Sequence, residues 1–257
     1  MSRDFTLTVY RDLLVALIDQ GYHLTSYEEY LSLTEQRPDL KTVILRHDVD
    51  RLPQNSLATA QLQASLGVKG SYYFRIVPQS FQPKYIEQIR DLGHEIGYHY
   101  EDLALSHGKP EQAIRSFEEN LARVREFYPV TTMCMHGSPM SKWDNRDLWK
   151  EYRYQDYGIR AEPYFDIDFH QMLYLTDTGR QWNRPGVSVR DKVDTDFAFT
   201  FSSTFELIEE VERDHLPSQI MQNIHPQRWN NGWLNWSQEL VLQNAKNQVK
   251  RAIVKFR

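Results

Sequence analysis

The pentapeptide Arg46-His47-Asp48-Val49-Asp50 sets two carboxylates two positions apart, directly after the unalternating apolar run Val43-Ile44-Leu45. Such a run reads as a strand buried on both faces, and residues two apart on a strand project to the same side. Asp48 and Asp50 therefore converge on one point while Val49 packs away. Carboxylates that close share a proton or hold a cation; the bland alternative is a pair of solvated or helix-capping aspartates. Histidines follow in comparable places: His99 after Glu95-Ile96-Gly97-Tyr98, with Glu101 and Asp102 beyond it, His136 after Val130 to Met135, and His225 after Gln219 to Ile224. Aspartate oxygens and neutral imidazoles arriving from separate strands are what a divalent metal needs, with a position left open for water. His23, His94, His170 and His215 read as polar core or surface residues, and His47 alternates to the face opposite Asp48.

Those positions require alternating helices and strands. Thr8 to Gln20 carries Val9, Leu13, Leu14, Leu17 and Ile18 at helical spacing and stops at Gly21, and Ser26-Tyr27-Glu28-Glu29 matches a capping box that opens a helix to Leu33. A strand over 42–48, a helix from Pro53 to Leu66, a strand over Ser71 to Ile76, a helix from Pro83 to Leu92 and a strand over His94 to His99 continue the pattern. A helix from Pro110 to Phe127, a strand over Val130 to Met135 and a helical stretch over Asn145 to Arg153 follow. Strand signals over Tyr164 to Leu175 and Val187 to Val193 are weaker, before a helix over Phe205 to Leu216 and a strand over Gln219 to Ile224. Alternation with about seven strands predicts one parallel α/β domain, closed or nearly closed into a barrel, with its chemistry at the carboxyl ends of the strands. No linker or repeat divides residues 1–257, and the basic, apolar stretch from Lys246 to Arg257 predicts a final helix or strand.

Composition narrows the partners. A formal net charge of -5 with dispersed Lys and Arg offers no footprint for nucleic acid. No apolar run approaches the length of a transmembrane segment, and Met1-Ser2-Arg3-Asp4 does not lead into a secretory signal. The single cysteine, Cys134, excludes an internal disulfide and fits a reducing, cytoplasmic setting. With Cys134 inside an expected strand and no Gly-x-Ser-x-Gly elbow, a serine or cysteine hydrolase is disfavoured, as is a nucleotide-dependent enzyme without a phosphate-cradling glycine loop.

In their order, Arg46-His47-Asp48-Val49-Asp50, Gly93-His94-Glu95-Ile96-Gly97-Tyr98-His99 and Asn223-Ile224-His225-Pro226 resemble the first, second and last motifs of the polysaccharide deacetylase family, the NodB-homology or carbohydrate esterase family 4 hydrolases. The Asp-Val-Asp form, His99-Tyr100-Glu101-Asp102-Leu103 and His136-Gly137-Ser138-Pro139 are similar to a divergent branch among O-antigen and other surface-polysaccharide biosynthesis proteins. The resemblance implies a distorted (β/α)7 barrel over about 41–229, flanked by helices over 8–33 and a helical C-terminal extension. It also implies metal-dependent removal of an N-acyl or O-acyl group from a sugar or saccharide precursor. The implied metal is zinc, with cobalt, manganese, iron or nickel as substitutes.

Carried over position by position, the resemblance makes Asp48 the base, Asp50 a metal ligand, His99 the next ligand and His225 the acid. One departure stands out: the family's second histidine, four residues after His99, is Leu103, which ligates nothing. His136 is the favoured replacement because it keeps the imidazole, with Glu101 and Asp102 behind it. Asp177-Thr178-Gly179-Arg180 falls where the family has its fourth motif and offers Arg180 to keep Asp48 ionised. Asp177, Trp182 and Trp229 are candidates for binding the sugar, although Trp229, Trp233 and Trp236 also have the spacing of one buried helix face. Two readings stand beside deacetylation: a deformylase or other C–N amidohydrolase using the same residues, and a degenerate member that binds saccharide or a partner without turnover.

Overall fold

The protein, seen in a computed structural model, is described over residues 3–33, 39–183 and 191–255. Thr6 caps α1 (Leu7–Asp19), its hydroxyl accepting from the Val9 N–H. Then come β1 (His23–Thr25), α2 (Tyr27–Leu33), where Ser26 accepts from the Glu29 N–H, and β2 (Thr42–Val49). Proline opens each of the next crossover helices: α3 (Pro53–Ser65) before β3 (Ser71–Phe74), α4 (Pro83–Asp91) before β4 (Glu95–Tyr100), and α6 (Pro110–Arg125) before β5 (Met133–Met135). Proline suits that first position because its missing N–H has no partner in the first turn anyway. A single turn, α5 (Asp102–Leu105), lies between β4 and α6. The chain ends with α7 (Pro163–Asp166), β6 (Leu173–Thr176), α8 (Thr204–Glu212), β7 (Gln219–Ile224) and α9 (Trp233–Lys255).

Every strand pairing in the sheet is parallel, in the order β5-β4-β3-β2-β7-β6, with β1 beside the first half of β2. Beyond β5 the 160–161 segment continues the sheet, the Arg160 N–H donating to Thr131 O at 2.7 Å and the Met133 N–H to Ala161 O at 3.2 Å. Ala161 at that edge and Tyr174 on β6 at the other belong to one buried cluster with Tyr27, Ile44 and Met221. The sheet therefore curls into a distorted (β/α) barrel, with no ladder between its two edges among the described residues. All eight residues of β2 are buried, as its run of apolar residues requires. Odd-numbered Val43 and Leu45 pack outward against α1 and α8, while Ile44, Arg46 and Asp48 face in.

Several expectations are corrected. The helix expected from Asn145 is present as a 3-10 helix over Asn145–Lys150, whereas Tyr164 to Leu175, expected as strand throughout, holds α7 and a turn and becomes strand only at Leu173. The strand expected over Val187 to Val193 falls largely outside the described residues. Trp229 precedes α9 and is buried, whereas Trp233 on α9 is 63% exposed, so the three tryptophans do not form one buried face. Among the described residues no helix is long and apolar enough to cross a membrane.

Candidate functional site

Parallel pairing brings all the strand exits to one rim. β2 delivers Asp48 and Asp50, β4 His99 and Glu101, β5 His136 and β7 His225, and all but Glu101 line a single cavity of about 590 Å³. Asp50 Oδ1 stands 3.7 Å from His99 Nε2 and 3.5 Å from His136 Nε2. These three ligand atoms lie within 4.8 Å of one another. Asp50 Oδ1 is buried without a hydrogen-bond partner, while its Oδ2 accepts from Gln227 Nε2 at 3.2 Å. A buried, unsatisfied carboxylate oxygen is costly unless something electropositive completes it.

Both imidazoles are oriented from behind. His99 Nδ1 is 2.9 Å from Cys134 O, a contact that fixes the proton on Nδ1 and turns a lone pair on Nε2 toward Asp50. Burial pushes His99 down to about 4, against the pull of Asp48, so it is neutral at physiological pH, as a ligand must be. His136 Nδ1 is 2.8 Å from Glu101 Oε2, and Arg75 grips Glu101 through Nε and Nη2 at 2.8 Å each. Burial opposes ionisation of Glu101, but His136 and Arg75 outweigh it and hold the carboxyl near 2. Glu101 is thus placed behind His136 rather than among the ligand atoms. The donor set of one carboxylate oxygen and two imidazole nitrogens suits a divalent metal with further positions open.

Asp48 lies beside this set, its Oδ2 3.7 Å from His99 Nε2. Arg46, two residues earlier on the same strand face, grips it with both arms, Nε to Oδ1 at 2.9 Å and Nη2 to Oδ2 at 2.7 Å. Asn223 Nδ2 donates to the same Oδ2 at 3.2 Å. Burial works against the charge, but the Arg46 guanidinium prevails and keeps Asp48 ionised well below the usual carboxylate range. His225 Nδ1 is 2.6 Å from Asp177 Oδ1, and the His225 N–H donates to Asp177 Oδ2 at 3.0 Å. Arg228 and the Trp229 indole also donate to Asp177.

Asp48, Asp50, His99, His136 and His225 therefore come together, and others do not. Arg180 is not the cation beside Asp48: its guanidinium reaches Arg228 O and Asp4 O and stacks on Phe5 and Trp236. Arg46 holds that place, and its position inside the first motif was the overlooked signal. Asp102 is not at the rim either. The strand stops at Tyr100, and the turn of α5 sends the Asp102 carboxylate to Tyr98, Ser116 and Asn120. The same turn buries Leu103, 5% exposed, in the apolar cluster against α6. Asp177 is completely buried and turned onto His225, and Trp182 and Trp229 pack with Phe5 and Tyr10 in the core, so none of the three walls the cavity. Further lining comes from Tyr164, Asp191 and α9, none of which the sequence marked.

His47 and His94 are structural. His47 stacks on Tyr72 and bonds Tyr10, Gln63 and Ser71 O on the barrel's outer face, and His94 bridges Gly70 and Ala60 O.

No family model matches the chain, and no curated protein matches its sequence. Among solved structures it is similar to a Streptococcus pyogenes deacetylase, PplD, in complex with acetate, at 14% identity and a TM-score of 0.41. That match covers 52% of this chain and 64% of the other. At so loose a likeness nothing about function passes from one chain to the other.

Proposed function

We propose that the protein is a divalent-metal-dependent hydrolase that removes an N-acyl group, acetyl first among them, from a sugar. The observation that carries this reading is the buried, unpartnered Asp50 Oδ1 facing Nε2 of His99 and of His136, with Asp48 and His225 beside them. Asp50, His99 and His136 would hold the metal, zinc being the best match to the donor set. When bound, the ion lowers the pKa of a water and polarises the acyl carbonyl.

The chain's own residues supply the proton traffic. Asp48, kept ionised by Arg46, accepts the proton of the attacking water through a carboxylate oxygen on the cavity side. Asp177 occupies His225 Nδ1, which leaves Nε2 as the atom to protonate the departing sugar nitrogen, without which an amine leaves poorly. The reading keeps the protein in the cytoplasm, acting on a precursor of a surface polysaccharide such as O-antigen, and rests there on the lone thiol and on the motif resemblance.

Metal analysis and acetate release test it together. Purified protein should bind close to one divalent ion and release acetate from N-acetyl sugars. Failure to turn over any acyl sugar after loading with zinc, cobalt, manganese or iron would sink the proposal. A second reading, saccharide binding without turnover, draws on the double grip of Arg46 on Asp48, which weakens that carboxylate as a base. Turnover that vanishes in Asp48→Asn while metal stays bound excludes it.

A further inference from the structure

Resting on the hydrolase reading, we propose that the acyl sugar arrives joined through an anionic group to a long apolar chain, as in a glycosyl phosphate of a long-chain alcohol, and that this chain lies along α9. The cavity has two kinds of wall. One part is polar, with Asp48, Asp50, His99 and His136, of which Asp48 and His99 are buried; the other is apolar, with Pro139 and Met140 and with Leu242 and Ala245 of α9. Met140 is 82% exposed and Leu242 49% exposed, although water should shun both. A sugar with only hydroxyl groups has no use for such a wall.

Apolar side chains also lie farther along the helix. Val241 and Ala245, four residues apart, share one face of α9, and Leu234 lies on the same face seven residues before Val241 with Ser237 and Gln238 between them; Leu234 is 72% and Val241 68% exposed. That face begins outside the cavity and ends in its lining at Ala245, beside Leu242. A chain too long for a 590 Å³ cavity therefore has a path out over side chains that nothing else among the described residues covers.

Charge marks the junction between the two walls. Lys246 lines the cavity one turn after Leu242, and its ammonium makes no hydrogen bond or ion pair among the described residues. It is close enough to Arg51, Glu239, Arg228 and Asp50 for their charges to act on it, and all four also line the cavity. Among the described lining residues, Arg46, Arg51, Arg75 and Arg228 are paired with Asp48, Glu239, Glu101 and Asp177, which leaves Lys246 as the cation available to an incoming anion. An anionic link between sugar and apolar chain would sit there, with the sugar inward at the rim and the chain outward on α9.

Calorimetric titration with geranylgeranyl phosphate below its micelle concentration tests this without requiring turnover, with geranylgeraniol and inorganic phosphate as separate arms. Wild-type protein should bind the lipid phosphate, bind geranylgeraniol more weakly and ignore inorganic phosphate. Leu242→Glu and Lys246→Glu, both at exposed positions, should each weaken the lipid phosphate by about tenfold or more. No binding by the wild type, or unchanged affinity in both variants, overturns the inference. So does retention on anionic phospholipid vesicles without binding of the free lipid phosphate, which would make α9 a membrane-docking face instead. Acyl-sugar hydrolysis without lipid binding would remove this inference and leave the hydrolase reading standing; lipid binding without hydrolysis would do the reverse.

Discussion

Arg46 and Asp48 form the most consequential pair of side chains in the molecule. Both point into the barrel from one strand, both are almost completely buried, and each is the other's main electrostatic partner. Removing one member of such a pair leaves the other charged and unsolvated, at a cost of about 3–5 kcal/mol. Arg46→Met should therefore lower unfolding stability by about that amount in urea titration, and Arg46→Met with Asp48→Asn should recover part of it. A loss below about 1 kcal/mol in the single variant would mean that water reaches Asp48 and that the pair is not closed. The sequence made Asp48 and Asp50 legible because strand alternation fixes which neighbours share a face. Arg46 obeys the same rule, since it is two residues before Asp48. Spacing alone does not show that its guanidinium folds back along its own strand face onto Asp48, where a cation from a distant loop would serve equally well.

At the scale of elements, strand-exit logic located the histidines and failed where a strand ended early. β4 stops at Tyr100 and α5 begins at Asp102, so alternation carries as far as Glu101 and no further. A four-residue helix leaves almost no periodic signal, and for that reason neither Asp102 nor Leu103 could be placed from sequence alone. β1, three residues long, escaped for the same reason. Gly97 shows how tightly β4 is seated: a Cβ there would collide with the Tyr73 ring, which itself bonds Thr132 across the interior at 2.8 Å. Gly97→Ala should destabilise the fold by about 1–3 kcal/mol through overpacking. Because His99 is two residues along the same strand face, the variant should also bind metal more weakly. Thermal unfolding and metal titration of one preparation measure both effects, and an alanine that changes neither would show that the interior has room.

For the whole molecule, buried titratable groups on both barrel faces tie stability to pH. Burial lowers His47 to about 3, whereas an unfolded histidine titrates near 6.5. Between those values the unfolded chain binds the proton and the folded chain does not, so the contribution of His47 is complete above about pH 6.5 and drains as pH falls. His47 contributes up to about 1.4 kcal/mol per pH unit across that window. Glu162 acts in the opposite sense: burial raises it to about 7, so its contribution is present below the ordinary glutamate value and is lost as pH rises. Below about pH 4, Asp50 and Glu101, both held near 2, add further loss as they protonate. Urea midpoints measured from pH 4 to 7 should show a shallower dependence on pH in His47→Gln than in the wild type. Equal slopes would mean that His47 is protonated in the folded protein.

His99 stands on β4, His136 follows β5 and Asp50 follows β2, so an ion at that rim would be tied to three stretches of chain far apart in sequence. In a barrel whose two edges form no ladder among the described residues, such an ion would work as a clasp, drawing the rim together as well as serving chemistry. Chelation would then do more than silence turnover. Amide hydrogens at the carboxyl ends of β2, β4 and β5 should exchange faster once the ion is stripped, while those of α1 and α8, at the far side of the sheet, keep their pace.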